Sequence, residues 1–497
     1  MTASRELVRY VLTRVLMAVL LFLTFAAWSM GSAVGSSPDE GYVLTSIWCG
    51  TEGNPPYCRK DPDRANAMIL PIMATEPQLC YLGQGQDYSA ACQEATYNQE
   101  ISTDQLNRGL YPETYLNVAR KFVSSDIEES VVRIRLFNSF IACVMILFAL
   151  SINRRRDPDL LITWLAVIAP VTTYFISSVN TSSWTLVGTT CFVITLIAAF
   201  RNRRDKKLLI TASLLTIFSV WLTNSSRYEG KYVLLLLGAA VIYSEFAPRI
   251  LQLNKKTTLV GAAILPILFF IYSYFADVYG RVNIFTDARI EVAEGVKTTA
   301  NNLLLQNFLN LPRFVMGFFG GWGLGWFDVE MTHTVWLFAL QAFLLTTVFA
   351  LYKSDNVRRT IFGGLSTVMC MAILYANQQT YTKVGEVIQP RYFLPFFLGI
   401  VIITAANKTA RFPNSLVLTV AILATISNSI ALRDTIRRYT TGQDVLISKS
   451  LNNPREWWWQ FGPAPETVWL IGSLAFAMLF AVIIYERKLE SAETASI

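Results

Sequence analysis

The chain has 497 residues, of which 53% are hydrophobic and only 15% are charged. Soluble domains carry about 25% charged residues, so this composition excludes an ordinary soluble protein and indicates a polytopic membrane protein. The net charge of +7 comes from short basic loops between apolar runs, which is typical of membrane topology and not of a nucleic-acid surface. We therefore expect a lipid bilayer as a partner and no nucleic acid.

Apolar runs close to the roughly 20 residues that cross a bilayer recur along the whole chain. They predict an all-α polytopic membrane protein with about 12 transmembrane helices. The predicted spans are 11–31, 134–152, 160–178, 184–200, 208–223, 232–247, 257–276, 334–352, 361–376, 392–406, 414–431 and 468–485.

Basic residues cluster in alternate short loops, for example at 154–156, 201–207 and 358–359. Because cytoplasmic loops carry an excess of Lys and Arg, we predict a protein of the cytoplasmic (inner) membrane with both termini cytoplasmic. Residues 32–35 are small enough for signal-peptide cleavage, but the first apolar stretch is longer than a typical h-region. We therefore interpret the first helix as an uncleaved anchor.

The spans divide the chain into seven segments. These are 1–31, the cytoplasmic N-terminus and first helix; 32–132, a long external loop with short amphipathic helices; 133–276, helices 2–7; 277–333, an external or re-entrant segment; 334–431, helices 8–11; 432–467, an external loop rich in Arg and Trp; and 468–497, the last helix and the cytoplasmic tail.

Four of the seven cysteines, namely Cys49, Cys58, Cys80 and Cys92, lie in the first external loop. An even number of cysteines outside the cytoplasm suggests two disulfides, with three possible pairings. Cys49–Cys58 with Cys80–Cys92 is the simplest pairing. A zinc site is the alternative, but no histidine is nearby and the spacings are not those of the usual close pairs.

Three aromatic stretches lie in the predicted external segments. Residues 111–122 have helical spacing and favour either a helix at the lipid headgroups or an ordinary loop helix packed on the spans. The Gly- and aromatic-rich stretch 318–327 suits a re-entrant or interfacial element, or a plain aromatic belt. In the third, Arg433, Arg437 and Arg438 together with Trp457-Trp458-Trp459 suit lipid phosphates and sugar faces, although simple anchoring is the favoured role of the tryptophans.

Asp39 and Glu40 follow Pro38 directly after the first span. Two carboxylates at this position are candidates for a catalytic base and for ligands of a divalent metal such as Mg²⁺ or Mn²⁺. A solvated turn is the alternative interpretation, since Pro and Asp are common turn residues. Arg391 and Arg227 are predicted on the same external side, so acidic and basic groups converge at one face.

Further polar and aromatic residues on this side are candidates for binding substrate. For His333, the only histidine of the chain, a structural role is the more common one. The predicted substrate-binding residues are Asn180, Tyr392, Asp328, His333 and Tyr115.

Such a set of groups suits the transfer of a sugar from a lipid phosphate. A carboxylate takes the proton of the acceptor hydroxyl as that oxygen attacks the anomeric carbon. A planar guanidinium stabilises the charge that develops on the departing phosphate. No nucleophilic side chain is needed for this direct, inverting displacement.

Several short elements together resemble a bacterial membrane family known as domain of unknown function 2142, which is grouped with the GT-C glycosyltransferase superfamily. The resemblance covers about residues 15 to 445. Its elements are Pro38-Asp39-Glu40, Tyr111-Pro112 with Tyr115, Ser178-Val179-Asn180, Arg227, Gly325-Trp326-Phe327-Asp328 and Gln389-Pro390-Arg391-Tyr392-Phe393-Leu394-Pro395.

The resemblance implies a GT-C-like fold that uses a polyprenyl-phosphate sugar outside the membrane, with a cell-envelope glycan, lipid or protein as acceptor. It assigns the base to Asp39 or Glu40, and the phosphate-binding arginine to Arg391, with Arg227 as a second. The chain departs from the family pattern at Gly41 and Tyr42, at Glu113 and at Thr181.

Two other classes of function are open at this point. A flippase or transporter of lipid-linked sugars suits about 12 spans, but it should carry ionisable residues within its spans, and here charge gathers at the external face. A non-catalytic partner in envelope assembly would use the cysteine-rich loop as its docking surface and would tolerate loss of Asp39.

Overall fold

The computed structural model describes residues 2–50, 53–152, 157–250, 300–406, 411–443 and 450–495. Within these ranges the chain is mainly helical. The helices are α1 Thr2–Met30, α2 Glu40–Cys49, α3 Cys92–Thr96, α4 Glu113–Ala119, α5 Ile127–Ser151, α6 Asp157–Ile168, α7 Val171–Ile176, α8 Ser182–Arg201, α9 Lys206–Asn224, α10 Gly230–Ile250, α11 Ala300–Leu309, α12 Leu311–Gly317, α13 His333–Lys353, α14 Asn356–Gln379, α15 Leu394–Ala405, α16 Asn414–Thr440 and α17 Pro465–Ala495.

Nine helices of the described ranges are long and apolar enough to cross a membrane, and each coincides with a predicted span. They are α1, α5, α8, α9, α10, α13, α14, α16 and α17. The chain is thus a multi-pass, mainly helical membrane protein, as its hydropathy predicts. The predicted number of 12 spans is not confirmed.

The three other predicted spans have different outcomes. The span 160–178 is two helices, α6 and α7, because Pro170 lacks the N–H that would continue α6. The span 392–406 is the 12-residue helix α15, which follows a 3-10 turn at Pro390–Tyr392. The span 257–276 lies outside the described residues.

Helix α16 continues to Thr440, past the predicted end at residue 431. Arg433, Arg437 and Arg438, which were predicted in an external loop, therefore lie in the last turns of this helix. Cations are favourable there because they face the negative end of the helix dipole. The predicted boundary between the segments 334–431 and 432–467 is shifted accordingly.

The helices form one bundle in which α6 is buried on all sides, as expected for a helix that is apolar all round. Helices α8 and α9 approach each other very closely at Gly188, where an added Cβ would lie 2.3 Å from Oγ1 of Thr223. Small residues permit such contacts between membrane helices. Helix α1 packs between α5 and α17.

Buried ion pairs join the helices at one end of the bundle. Glu245 of α10 accepts from Arg201 of α8 and from Arg358 of α14, at 2.7 and 2.9 Å. Arg487 of α17 pairs with Asp159 of α6 at the same end. The basic loops identified in the sequence contribute to these pairs, and the candidate site residues lie at the opposite end.

The loop 32–132 folds into α2, α3, α4 and a three-stranded antiparallel sheet. Its strands are β1 Arg59–Lys60, β2 Met68–Pro71 and β3 Glu100–Thr103, with Arg59 opposite Ile69 and Met68 opposite Thr103. The disulfides are Cys49–Cys58 and Cys80–Cys92. The simplest pairing is thus confirmed, and the zinc alternative is wrong because all four sulfurs are bonded in pairs.

Two aromatic stretches of the external segments are part of the packed structure. In the stretch 111–122, Tyr115 and Leu116 of α4 are buried, which favours the packed loop helix over a helix lying in the headgroups. Trp457, Trp458 and Trp459 are buried too, and the indole of Trp459 donates to the carbonyl of Met30 at 2.8 Å. Trp459 therefore anchors this segment on α1, and their burial keeps all three rings from forming a sugar-binding surface.

The two disulfides differ in accessibility, and we expect them to react differently. Cys49 and Cys58 are buried, whereas Cys80 and Cys92 are partly exposed. A water-soluble phosphine should therefore open Cys80–Cys92 first, because attack on a disulfide requires access to its sulfur. Alkylation and peptide mass spectrometry along the reduction would measure this order, and earlier labelling of Cys49 and Cys58 would contradict it.

Candidate active site

The turn that follows α1 places Asp39 in an unusual conformation. Asp39 has φ 66°, in the left-handed region, which non-glycine residues adopt only at a cost. It precedes α2 as its N-cap residue, yet its carboxylate makes no capping hydrogen bond to the helix. The side chain is instead directed to partners from other parts of the chain.

Three groups from separate segments converge on one carboxylate oxygen, Oδ2 of Asp39. Arg391, in the 3-10 turn before α15, donates to it at 2.7 Å. The hydroxyl of Tyr111 donates at 3.2 Å. Nη2 of Arg227, in the connection between α9 and α10, lies 4.0 Å away. The structure thus brings together Asp39, Arg391 and Arg227, as the sequence predicts.

Asp39 is the accessible member of this group. Its side chain is 29% exposed, whereas that of Arg391 is 2% exposed and that of Arg227 is 9% exposed. Burial acts to raise the pKa of Asp39, but the guanidinium groups of Arg391 and Arg227 outweigh it and hold the pKa below its usual value. Asp39 is therefore an ionised carboxylate at neutral pH.

Aromatic rings enclose the two guanidinium groups. Arg227 lies over the rings of Tyr111 and Tyr392, at 5.4 and 5.3 Å from their centroids. Arg391 lies over Phe175 at 5.6 Å and donates to the hydroxyl of Tyr392 at 3.1 Å. Cation–π contacts of this kind stabilise charges that are removed from water. Tyr392 thus reaches the site as predicted.

Tyr111 and Phe175 were not among the predicted site residues. The sequence could have identified Tyr111 as a site residue, because the Tyr111-Pro112 pair belongs to the elements that carry the family resemblance. It could not have identified Phe175, since an apolar site residue within a predicted span looks the same as a core residue.

Asn180, in the connection between α7 and α8, holds the turn that carries Asp39. Its side-chain amide donates to the carbonyl of Pro38 at 2.7 Å and to the hydroxyl of Ser37 at 3.2 Å. Arg391 donates to the same Pro38 carbonyl at 2.9 Å. Asn180 is therefore buried behind the turn and positions it, which differs from its predicted contact with substrate.

Glu40 faces away from Asp39 into the protein. It is fully buried and pairs with Arg135 of α5 at 2.9 Å, while its other oxygen accepts from the backbone N–H of Ser37. Arg135 also donates to the carbonyls of Ser32 and Ala33. This buried pairing favours a structural role for Glu40 over its predicted role as a base. An arginine within an otherwise apolar helix indicates a buried polar partner, so the position of Arg135 could have pointed to this pair in the sequence.

Asp39 and Glu40 do not form a pair that fits a divalent cation. Their carboxylates are directed to different guanidinium groups, Asp39 to Arg391 and Glu40 to Arg135. In the described ranges, no cluster of three or more His, Cys, Asp or Glu residues suits a metal ion. The predicted role of this pair as ligands of Mg²⁺ or Mn²⁺ is thus not supported by its geometry.

Asp328 lies in a second buried pair, next to the turn but not on Asp39. It pairs with Arg438 of α16 at 3.4 Å. Burial raises the pKa of Asp328 to about 6, although Arg438 opposes this shift. Its loop is tied to the turn because the indole of Trp326 donates to the carbonyl of Gly35 at 3.0 Å.

Tyr115 and His333 have partners elsewhere. The buried hydroxyl of Tyr115 accepts from Asn138 at 3.1 Å, and its ring packs edge-on against Trp184. His333 begins α13, is exposed, and accepts from the indole of Trp336 at 3.3 Å. None of these described contacts involves Asp39, so the geometry does not support either residue as part of the Asp39 site.

The fold and this polar cluster define the class of the protein: a multi-pass helical membrane protein with a buried, arginine-rich site at one end of the bundle. Residues 22–400 match the family model described as Predicted membrane protein (DUF2142), and the chain belongs to this family. No significant match to a curated protein or to a solved structure was found.

Proposed function

We propose that this protein is a GT-C-type glycosyltransferase that moves a sugar from a polyprenyl-phosphate donor to a cell-envelope acceptor. The observation that carries this proposal is a partly exposed carboxylate, Asp39, held beside two buried guanidinium groups, Arg391 and Arg227. A base next to two phosphate-binding cations is what a direct displacement from a phosphate ester requires.

In the proposed reaction, the acceptor hydroxyl oxygen forms a bond to the anomeric carbon of the sugar. Its proton passes to the carboxylate of Asp39. The bond between the anomeric carbon and the donor oxygen breaks, and its electron pair goes to the departing polyprenyl phosphate. Arg227 and Arg391 stabilise that charge. The products are the glycosylated acceptor and the polyprenyl phosphate, and the anomeric configuration is inverted.

The same proposal includes the membrane topology. The basic loops lie at the end of the bundle that carries the Arg201–Glu245–Arg358 pairs, and cytoplasmic loops are the ones enriched in Lys and Arg. The disulfides lie near the opposite end, and disulfides persist in oxidising compartments. Both features support an external site, cytoplasmic termini and a place in the cytoplasmic membrane. The acceptor is then an envelope glycan, lipid or protein.

Sugar transfer by the purified full chain tests the proposal. Protein in nanodiscs should transfer sugar from at least one member of a panel of polyprenyl-phosphate sugars to an envelope glycan, and NMR of the product should show inversion at the anomeric carbon. Retention would contradict direct displacement. If no donor is used, yet a labelled lipid-linked sugar crosses proteoliposomes, the protein is a flippase and the proposal is wrong.

A further inference from the structure

The two arginines of the site differ in how their donors are used. Arg391 donates hydrogen bonds from Nη1 to the carbonyl of Pro38 and from Nη2 to Asp39 and to the hydroxyl of Tyr392. In the described part of the chain, the one side-chain hydrogen bond of Arg227 runs from Nε to the hydroxyl of Thr181, at 3.3 Å. Its terminal nitrogens lie 4.0 Å from Asp39 and 3.9 Å from Glu229, beyond hydrogen-bond reach.

The shape of the Arg227 environment suits an anion that approaches in the plane of the guanidinium. Tyr111 and Tyr392 each lie near the group at about the distance of a cation–π contact. The terminal N–H groups point along the edge, and that edge binds phosphate oxygens in pairs. Arg227 is therefore better prepared than Arg391 to receive a phosphate.

The charges of the site leave room for a further anion. Arg227 and Arg391 carry two positive charges, and Asp39 supplies one negative charge at hydrogen-bond distance. Glu229 is near Arg227, but its side chain is 44% exposed, so water screens its charge. Buried cations without full compensation are costly, and the phosphate of a prenyl-phosphate lipid would supply the missing negative charge.

Any phosphate oxygen that binds both arginines must compete with Oδ2 of Asp39. This one oxygen accepts from Arg391 and Tyr111 and is the atom nearest to Nη2 of Arg227. We propose that Asp39 and the phosphate of a prenyl lipid, a diester in the sugar donor and a monoester in the released product, compete for the same guanidinium groups, so that donor binding releases the catalytic base. This inference rests on the function proposed above and adds to it the order of binding, donor before acceptor.

The exchange also explains how a carboxylate with this environment can act as a base. While Arg391 is bound to it, Asp39 is a weak proton acceptor, because its pKa is held low by the guanidinium groups. When the phosphate takes over those donors, the carboxylate loses its stabilising partners and its pKa rises. The base is then active only beside a bound donor, which protects the site against idle proton transfer.

If Asp39 competes with the phosphate, its removal should strengthen phosphate binding, whereas the removal of an ordinary binding residue would weaken it. Asp39→Asn removes the competing charge, and asparagine tolerates the left-handed backbone of this position better than most residues. We expect this variant to bind farnesyl monophosphate about tenfold more tightly than the wild type, whereas Arg227→Ala should bind it at least about tenfold more weakly.

The measurement is isothermal titration calorimetry of the full chain in nanodiscs, with EDTA present. Glu229→Gln is the matched control, since it also removes one carboxylate charge near Arg227 but does not touch Arg391. Its affinity for farnesyl monophosphate should change by less than about threefold. Farnesol and inorganic phosphate, titrated separately, distinguish the lipid tail from the phosphate.

Each outcome decides between the hypotheses. Tighter binding by Asp39→Asn, with little change in Glu229→Gln, supports the competition. Equal or weaker binding by Asp39→Asn overturns it and leaves the proposed glycosyltransferase in place. If wild type and variant both fail to bind farnesyl monophosphate, the proposed function fails as well. Inorganic phosphate binding as tightly as the lipid would overturn the assignment of the anion to a lipid headgroup.

Discussion

Asp39→Asn is expected to lower the turnover of sugar transfer by about a hundredfold or more, which is the usual contribution of a general base. An amide cannot take the proton of the acceptor hydroxyl. The fold should persist, since Asn180 and Arg391 hold the turn through the carbonyl of Pro38, which the substitution leaves unchanged. The measurement is kcat with a saturating polyprenyl-phosphate sugar, together with the Tm of the variant.

Asp104→Asn is the matched control for this experiment. It makes the same chemical change in the same loop, at an exposed carboxylate whose partner is the exposed Arg108. Its kcat should equal that of the wild type. If Asp39→Asn keeps more than about a tenth of wild-type turnover while folding normally, Asp39 is not the base, and the turn has only a structural role.

Arg135→Met is expected to destabilise the protein by about 3 kcal/mol or more, because it leaves the buried carboxylate of Glu40 without its cation. It also removes the side-chain donor to the carbonyls of Ser32 and Ala33. Glu40→Gln should cost less, since Arg135 keeps those two carbonyl partners. Thermal unfolding in nanodiscs, followed by circular dichroism, would measure both effects as shifts of Tm.

The control for Arg135→Met is Arg133→Met on the same helix. Arg133 pairs with Glu129 at the surface, where both side chains are exposed, and such pairs contribute about 1 kcal/mol at most. The double variant Arg135→Met with Glu40→Gln should be less destabilised than the sum of the two single variants, since it removes both charges. Additive losses would show that the pair is not coupled.

Local features of the sequence determined the class of fold. The length of each apolar run predicts a membrane-spanning helix, and nine of these helices are present in the described ranges, because hydropathy is a property of consecutive residues. The disulfide pairing was equally predictable, since each pair joins cysteines only 9 or 12 residues apart. The break at Pro170 also has a local cause, but a continuous apolar run concealed it.

From the sequence it could be predicted only that Asp39, Arg227 and Arg391 lie on the same side of the membrane. Alternating spans place all three at the same end of the bundle, but their distances depend on how the helices pack. Packing alone also separates two adjacent carboxylates: Asp39 reaches the partly exposed site, and Glu40 is buried against Arg135, 95 residues further along the chain.

The same reason explains the residues that do not join the site. Three predicted site residues lie at the same end of the bundle as Asp39 but contact other partners. Tyr115 contacts Asn138, Asp328 contacts Arg438, and His333 contacts Trp336. The sequence by itself determined a multi-pass helical protein with the charged residues of the candidate site at one end. Only the tertiary structure decided which charges meet, because the direction of a side chain depends on backbone dihedrals and on partners that are distant in sequence.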